Sequence, residues 1–380
     1  TSSESEGCRL NNGKGPAIFG KGYKRTGDGR AKLSIYDLVG TTPTILVTKA
    51  GSIVAGSCAD ISSDCNGLST PAIVDLNRDG NIDRVYAGDL HGNLWAWDLT
   101  LDSGSWNPRP AFGAVASPLP LFKACESTPC TTTNRQPITS KPAVAYHPPE
   151  DNITTKPNLM VFFGTGQYLV NSDNSFAGLQ RFYGVWDGGS GFTSGPPLDM
   201  DDLKAQTITT TIYDNGGPNH EVVRTLSANT VKYGVGPFSA TDNHKGWRID
   251  LPTTSERMVV TPSVVGGLVT FNTMIPPASG MCSQIESGWL MAADLRTGGE
   301  PDFTVLDMNG DGVFDANDSV GGHPVMGRST QGVPTESRYI VNKGNVIRVT
   351  TDSSGYVGTT PMQVTPPEGP GRMSWSSIEY

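Results

Sequence analysis

Residues 75–99 read DLNRDGNIDRVYAGDLHGNLWAWDL, and how this stretch is taken decides the fold. Asp75, Asn77, Asp79 and Asp83 stand at positions 1, 3, 5 and 9 of a D-x-N-x-D-G-x-x-D loop. Oxygen side chains at that spacing can converge on one cation. Gly80 at position 6 permits a sharp turn, and Asn81 at position 7 offers its backbone carbonyl. A hard cation that takes several oxygens at flexible distances is calcium. Position 12 is Tyr86, so the bidentate clamp of an EF-hand is missing. Nor is the continuation helical. Arg84–Gly88 and Asn93–Asp98 are rich in aromatic and strand-forming residues, and Asp89-Leu90-His91-Gly92 between them has turn chemistry. That is a β-hairpin. The stretch therefore reads as a calcium loop set in a β-sheet. An Asx-rich surface turn without metal is the competing reading; five matching positions and a second copy favour the metal.

The second copy is DMNGDGVFDAND, residues 307–318. Asp307, Asn309, Asp311, Asp315 and Asp318 fill positions 1, 3, 5, 9 and 12, and Val313 would give its carbonyl at position 7. It carries four carboxylates against three in the first loop (Asp75, Asp79 and Asp83), which predicts binding at least as tight.

Outward from the first loop, one theme recurs: an apolar strand ending in Gly, a turn, and a strand ending near Asp-Leu. Strands are predicted at Ala17–Tyr23 with Ala31–Asp37, and at Met160–Leu169 with Phe182–Asp187. Gly246–Leu251 is expected to close a further unit. Leu268–Thr273 with Gly288–Leu295 forms another, and Tyr339–Val349 a late hairpin turning at 342–345. Radially repeated sheets, a β-propeller, would generate such a theme; a β-sandwich also places turns at short intervals, but this length and repetition favour the propeller. Residues 104–140 and 188–220, rich in Gly, Pro, Ser and Thr, are expected to be loops decorating one domain over 1–380.

The 380 residues include 46 Gly and 28 Pro, with 17% charged, which suits many short strands joined by turns. Net charge is −9 and no basic stripe occurs, which argues against a nucleic-acid partner. No apolar run reaches transmembrane length. Thr1–Glu6 looks like the cut end of a larger chain. Six cysteines permit three disulfides. Cys58 with Cys65 and Cys125 with Cys130 are natural local pairs, leaving Cys8 with Cys282. No C-x-x-C pair occurs and the five His are scattered, so zinc is discounted, and an oxidising, extracytoplasmic location is favoured.

The chain resembles the C-terminal domain of the PilC/PilY family of type IV pilus tip-associated proteins. The resembling stretches are AIFGKGYKRTGDGRAKLSIYDLVG (17–40), NGLSTPAIVDLNRDGNIDRVYAGDLHGNLWAWDL (66–99), FFGTGQYL with FYGVWD, GWRIDLP with ERMVVTPSVVGG, MCSQIESGWLMAADLRTGG and the closing GRMSWSSIEY. The resemblance implies a modified seven-bladed β-propeller with long loop insertions, exported to the bacterial surface at the pilus tip or outer membrane. It implies partners among type IV pilus subunits or minor pilins, a role in adhesion to a host cell surface, and a calcium loop at Asp75, Asn77, Asp79, Asn81 and Asp83. Calcium there is implicated in the balance of pilus extension and retraction, hence twitching motility. The 307–318 loop rests on its residues more than on the family.

A calcium-bearing propeller also suggests a quinoprotein dehydrogenase, but such enzymes use adjacent cysteines and none are adjacent here. Thr100–Trp106 falls one residue short of a sialidase S/T-x-D-x-G-x-x-W box, and neither G-x-S-x-G nor H-E-x-x-H occurs. The expectation is a protein that is not an enzyme. A propeller acting purely as a surface binding module, its calcium only structural, is the alternative. The seven Trp are expected in the core.

Overall fold

The computed structural model describes residues 9–11, 13, 15–23, 30–37, 45–50, 65–100, 109–147, 157–192, 195–214, 220–239, 241–277, 287–342 and 345–364. It is all-β, with 47% strand and 5% helix. Five sheets of three or more strands form among the described residues, not the two of a sandwich. The expected pairings of Cys8, Cys58 and Cys282, the segment 101–106 and the closing 371–380 lie outside the described residues.

The stretch around residue 85 is buried on both faces, and its period of two says why. Tyr86, Leu94, Ala96, Ala72 and Val74 point into the larger hydrophobic core. Ile73, Val85, Ala87, Trp95 and Trp97 point the other way, into a second core shared with Ile18, Leu33 and Ile35. A strand covered on both faces reads as a continuous apolar run. Here Ala72–Val74, Arg84–Gly88, Asn93–Asp98 and Phe122–Lys123 lie side by side, with Arg109–Pro110 also on Asn93–Asp98. The sheet formed by Pro16–Gly20, Ala31–Asp37 and Ile45–Ala50 supplies part of the second core.

The expected hairpin at 84–98 is present, with Arg84 opposite Asp98 and Gly88 opposite Leu94. Its turn is held by a side chain. The Asp89 carboxylate, fully buried, accepts from the amides of His91 and Asn93 at 2.9 Å each and from Trp95 Nε1 at 2.7 Å.

The next sheet is ordered Ala143–Tyr146, Leu159–Gly164, Arg181–Asp187, Gly246–Asp250, Lys204–Gln206. Leu159–Gly164 pairs with Arg181–Asp187 as expected, but it ends at Gly164 and not at Leu169. Gly246–Asp250 does not close a separate unit: it lies antiparallel to Arg181–Asp187 in this sheet. Gly184 is required there, because a Cβ would stand 2.4 Å from the Trp247 ring. Trp95, Trp97, Trp186, Trp247 and Trp289 are all buried, as expected of core residues; Trp106 and Trp375 lie outside the described residues.

A six-stranded sheet follows, in the order Ile208–Tyr213, Glu221–Leu226, Gly327–Thr330, Ser287–Asp294, Leu268–Ile275, Ser263–Val265. The last sheet is Arg338–Asn342, Asn345–Thr351 and Val357–Met362. The 268–295 pairing and the late hairpin are thus as expected. The 188–220 segment is not all loop, since Lys204–Gln206 and Ile208–Tyr213 are edge strands. Nor is 104–140, which contributes Arg109–Pro110 and Phe122–Lys123 to a sheet. Ile208–Tyr213 hides from a sequence reading because its three Thr and exposed face replace the apolar alternation of a core-facing strand.

One buried ion pair joins two sheets, and a second ties a connecting segment to the six-stranded sheet. Arg84 Nη2 lies 2.7 Å from Asp187 Oδ2, and the Tyr86 hydroxyl donates to the same oxygen at 2.6 Å. Arg224 meets Glu256 through both nitrogens, at 2.6 and 2.7 Å, with Trp289 stacked 3.8 Å beneath the guanidinium. Cys125 and Cys130 are disulfide-bonded, as expected. Cys65 is also in a disulfide, with a partner outside the described residues.

Candidate metal centres

The first loop is the connection between two paired strands: Val74 lies opposite Arg84, and the Asp83 amide donates to the Val74 carbonyl at 2.9 Å. Nine residues must turn back in that space. Gly80 does so at φ 86° and Arg78 at φ 63°, with Asx hydrogen bonds substituting for sheet bonds. Asp75 accepts from the amides of Arg78 (2.6 Å) and Gly80 (2.8 Å) through its two oxygens. Asn77 Oδ1 accepts from the Asp79 amide at 3.0 Å, and Asp79 Oδ1 from the Asn81 amide at 2.8 Å. Asp83 Oδ2 closes the loop on the Leu76 amide at 2.8 Å.

The second loop repeats this frame. Asp307 accepts from Gly310 (2.7 Å) and Gly312 (3.0 Å). Asn309 Oδ1 accepts from the Asp311 amide at 2.9 Å, and Asp311 Oδ1 from the Val313 amide at 2.7 Å. The carboxylate that returns to position 2 is Asp318, whose Oδ1 accepts from Met308 at 2.7 Å. Asp318 at position 12 therefore does what Asp83 does at position 9. Asp315, which the spacing aligns with Asp83, instead caps a short 3-10 turn over 316–318 by accepting from the Asn317 amide at 2.8 Å. Asp315 is one of the four carboxylates counted for the second loop, and in the structure it takes this capping contact.

Each loop thus has two buried carboxylates, Asp75 with Asp83 and Asp307 with Asp318, and an exposed Asn and Asp between them. Among the described residues no three His, Cys, Asp or Glu side chains gather into a ready cage, so any cation here would also draw on amide and backbone oxygens, as calcium does. Asn77 Nδ2 donates to Asp79 Oδ2 at 3.1 Å and Asn309 Nδ2 to Asp311 Oδ2 at 3.0 Å; a cation would replace those contacts. Asp75, Asn77, Asp79, the Asn81 carbonyl and Asp83 could hold one ion. Asp307, Asn309, Asp311, the Val313 carbonyl and Asp318 could hold another.

The electrostatics agree with crowded negative charge. Burial raises the pKa of Asp83, with Asp79 and Asp75 adding to the shift against hydrogen bonds from Leu76 and Asn11. Hydrogen bonds, first from the Asn81 amide, lower that of exposed Asp79. At the second loop the Tyr213 hydroxyl is pushed up by burial and then by Asp318, Asp307, Asp311 and Asp315.

Supporting residues come from far along the chain and carry no sequence signal. Arg9–Leu10 runs parallel to Asn81–Ile82, and Asn11 Nδ2 reaches the Ile82 carbonyl (3.1 Å), Asp83 Oδ1 (3.3 Å) and the Leu99 carbonyl (3.0 Å). Tyr146 donates to the Leu76 carbonyl at 2.6 Å. Tyr213 donates to the Asn317 carbonyl at 2.8 Å.

Fold and loops together define an all-β protein of repeated, mainly antiparallel sheets carrying two oxygen-rich D-x-N-x-D-G loops. A family model described as the PilY1 beta-propeller domain matches residues 3–211, and the chain belongs to that family. It is 29% identical over 364 residues to the type IV pilus biogenesis factor PilY1 of Pseudomonas aeruginosa strain UCBPP-PA14, covering 88% of this chain and 29% of that protein. It is 33% identical over 296 residues to a PilY1 homolog of Xylella fastidiosa, covering 76% of this chain and 18% of that protein. The chain therefore spans less than a third of the length of these relatives. The crystal structure of the Pseudomonas aeruginosa PilY1 C-terminal domain superposes with a TM-score of 0.72 at 25% identity, over 96% of this chain and 72% of that one.

Proposed function

We propose that the chain is a calcium-binding, seven-bladed propeller domain, the C-terminal part of a type IV pilus tip-associated protein, and that it is not an enzyme. The observation that carries this reading is the likeness, over 96% of the chain, to the PilY1 C-terminal domain, together with relatives named as pilus biogenesis factors. The protein works outside the cytoplasm, at the pilus tip or outer membrane. Disulfides at Cys125–Cys130 and at Cys65 support that compartment. No described helix is long and apolar enough to cross a membrane. Its partners are type IV pilus subunits or minor pilins, and a host cell surface during adhesion.

Calcium, when bound, supplies positive charge that offsets the mutual repulsion of the loop carboxylates. The protein does the rest. Asp75 and Asp83 are fixed at the two strand ends, Tyr146 holds the loop from the neighbouring sheet, and Asn11 reads the Asp83 carboxylate from the other side. A change at the first loop is therefore passed to the segment 9–11, while the sheets keep their own cores. In this reading calcium tips the balance of pilus extension and retraction, and with it twitching motility.

The test compares Asp83→Ala, which removes the closing ligand, with Asp83→Lys, which places an ammonium where the cation would lie. Surface pili and melting temperature in calcium-free buffer are measured for both. Different pilus phenotypes at similar melting temperatures support a switch. Loss of function in both, in proportion to lost stability, would overturn it in favour of a binding module with purely structural calcium.

A further inference from the structure

The segments 232–239 and 241–245 form a loop that closes on itself. The His244 amide donates to the Lys232 carbonyl at 2.9 Å. The return contact is made by a side chain, since the Lys232 amide donates to His244 Nδ1 at 2.9 Å. Between these ends the loop holds Val235 and Phe238 outward, each 37% exposed. The Phe238 ring lies 5.6 Å from the imidazole.

Lys245 supplies a second tie. Its Nζ donates to the carbonyls of Gly236 (2.6 Å) and Asn243 (3.1 Å), and to that of Gly234. The base of the loop is fixed to its neighbours: the Lys245 amide donates to the Asp202 carbonyl at 2.9 Å, and the Trp186 amide to the Lys245 carbonyl at 2.8 Å. Tyr233 is anchored from outside. Its hydroxyl donates to the Arg296 carbonyl at 2.6 Å, and its ring stands T-shaped against His147 at 4.2 Å and Trp186 at 5.7 Å.

His244 and Lys245 are each 1% exposed. An imidazole nitrogen that accepts from an amide must carry a lone pair, so His244 is neutral with its proton on Nε2. A proton on Nδ1 would set N–H against N–H and break that contact. It would also create a buried cation one residue from the Lys245 ammonium. Burial already lowers the Lys245 pKa against the opposing charge of Asp202, so positive charge is penalised here. Among the described residues, the other ionisable groups on the elements packed against the loop are Lys232 and Asp242, both exposed, Tyr233 and His147, Arg296, and Asp199 and Asp201 beside Asp202. Asp242 is engaged with Ser239 Oγ at 2.5 Å and Asn243 Nδ2 at 2.9 Å.

We propose that His244 is a proton-operated latch: the loop stays closed while His244 is neutral, and opens reversibly when Nδ1 takes up a proton. The closed loop binds no proton at Nδ1, whereas an opened, solvated histidine binds one below about pH 6.5. Closure is therefore fully stable above that pH, and the opening constant rises about tenfold for each pH unit below it. Opening lifts Phe238 off the imidazole and changes the surface that the protein presents in mildly acidic surroundings. The base stays in place through Asp202 and Trp186. This inference does not depend on the metal loops.

The test follows the 380-residue chain, ¹⁵N-labelled at histidine and lysine, from about pH 7.5 to 4.5, a span that brackets the histidine range. Nitrogen shifts read the His244 tautomer, and hydrogen exchange reads the protection factors of the Lys232 and Lys245 amides. The expected tautomer at neutral pH is Nε2–H. Lys232 protection should fall about tenfold per pH unit below about pH 6.5 and return on neutralisation. Lys245 protection should hold, which separates loop opening from unfolding. His244→Asn offers Oδ1 to the same amide and takes up no proton, so its Lys232 protection should stay level. Asp202→Asn should keep the slope. An Nδ1–H tautomer at neutral pH, level Lys232 protection in wild type, a parallel loss at Lys245, or a slope that persists in His244→Asn or vanishes in Asp202→Asn would overturn the proposal. Should His244→Asn fail to fold, the wild-type tautomer and the two wild-type slopes decide.

Discussion

Asp187→Asn probes the contact that fixes the sheet bearing the first loop to its neighbour. Asp187 is fully buried and Arg84 nearly so, at 8% exposure. Asp187 Oδ2 takes Arg84 Nη2 at 2.7 Å, Arg84 Nε at 3.2 Å and the Tyr86 hydroxyl at 2.6 Å, and Oδ1 takes the Gly189 amide at 2.9 Å. Burial alone would lower the Arg84 pKa, but Asp187 and Tyr86 outweigh it and the net shift is upward. Asparagine keeps the shape and one acceptor oxygen while removing the counter-charge. Breaking a buried pair from one side costs about 3–5 kcal/mol, and with the oxygen kept on Arg84 and Tyr86 the new NH₂ faces the Gly189 amide donor to donor, so the full range applies. Against a typical total of about 5–15 kcal/mol that is a large loss. Urea unfolding followed by tryptophan fluorescence, in one fixed buffer for all variants, reads it as a lower midpoint with an unchanged slope. A double variant with Arg84→Met, which removes the stranded cation, should recover part of the loss. A midpoint within error of wild type for Asp187→Asn would refute the reasoning, because the charge would then be compensated by something other than Asp187.

Three further outcomes follow from the same structure. The Asp294 carboxyl is pushed up by burial, against hydrogen bonds from Thr297 and Arg296. The folded state therefore holds its proton to higher pH than the unfolded chain, and this group's contribution is full at low pH and lost as pH rises through the folded value; Asp294→Asn should remove that component of a stability-against-pH curve. Thiol titration in denaturant without reductant should find no free thiol, and several reactive thiols would reopen the pairing of Cys8, Cys58 and Cys282. Pyrroloquinoline quinone should neither bind nor support dye reduction, and turnover dependent on it would reverse the reading as a non-enzyme.

Much of the fold is legible where local chemistry acts alone. The hairpin at 84–98 follows from strand formers either side of an Asp-Leu-His-Gly turn, and the structure adds only that Asp89 turns inward to hold it. What fails is what depends on distant neighbours. Gly246–Asp250 ends like the other units, yet it joins the sheet of Arg181–Asp187 because Gly184 lets Trp247 lie against it. Ile208–Tyr213 has the composition of a loop and becomes a strand because Glu221–Leu226 offers it an edge. At the candidate sites, spacing picks out two loops that the structure folds on one hydrogen-bonded frame. It does not foresee that the 3-10 turn at 316–318 brings Asp318 back to the Met308 amide and uses Asp315 as its cap. Asn11, Tyr146 and Tyr213 lie 70 or more residues from the loop atoms they contact and could not be read from sequence.

Calcium stoichiometry tests the central claim most directly. Isothermal titration of the metal-free chain should give two calcium ions per chain, one after Asp83→Ala or after Asp318→Ala, and none when both are changed. Asp315→Ala should keep two, since Asp315 caps a turn and does not close the loop. Wild type that binds no calcium, or Asp83→Ala and Asp318→Ala that bind as wild type does, would contradict the account.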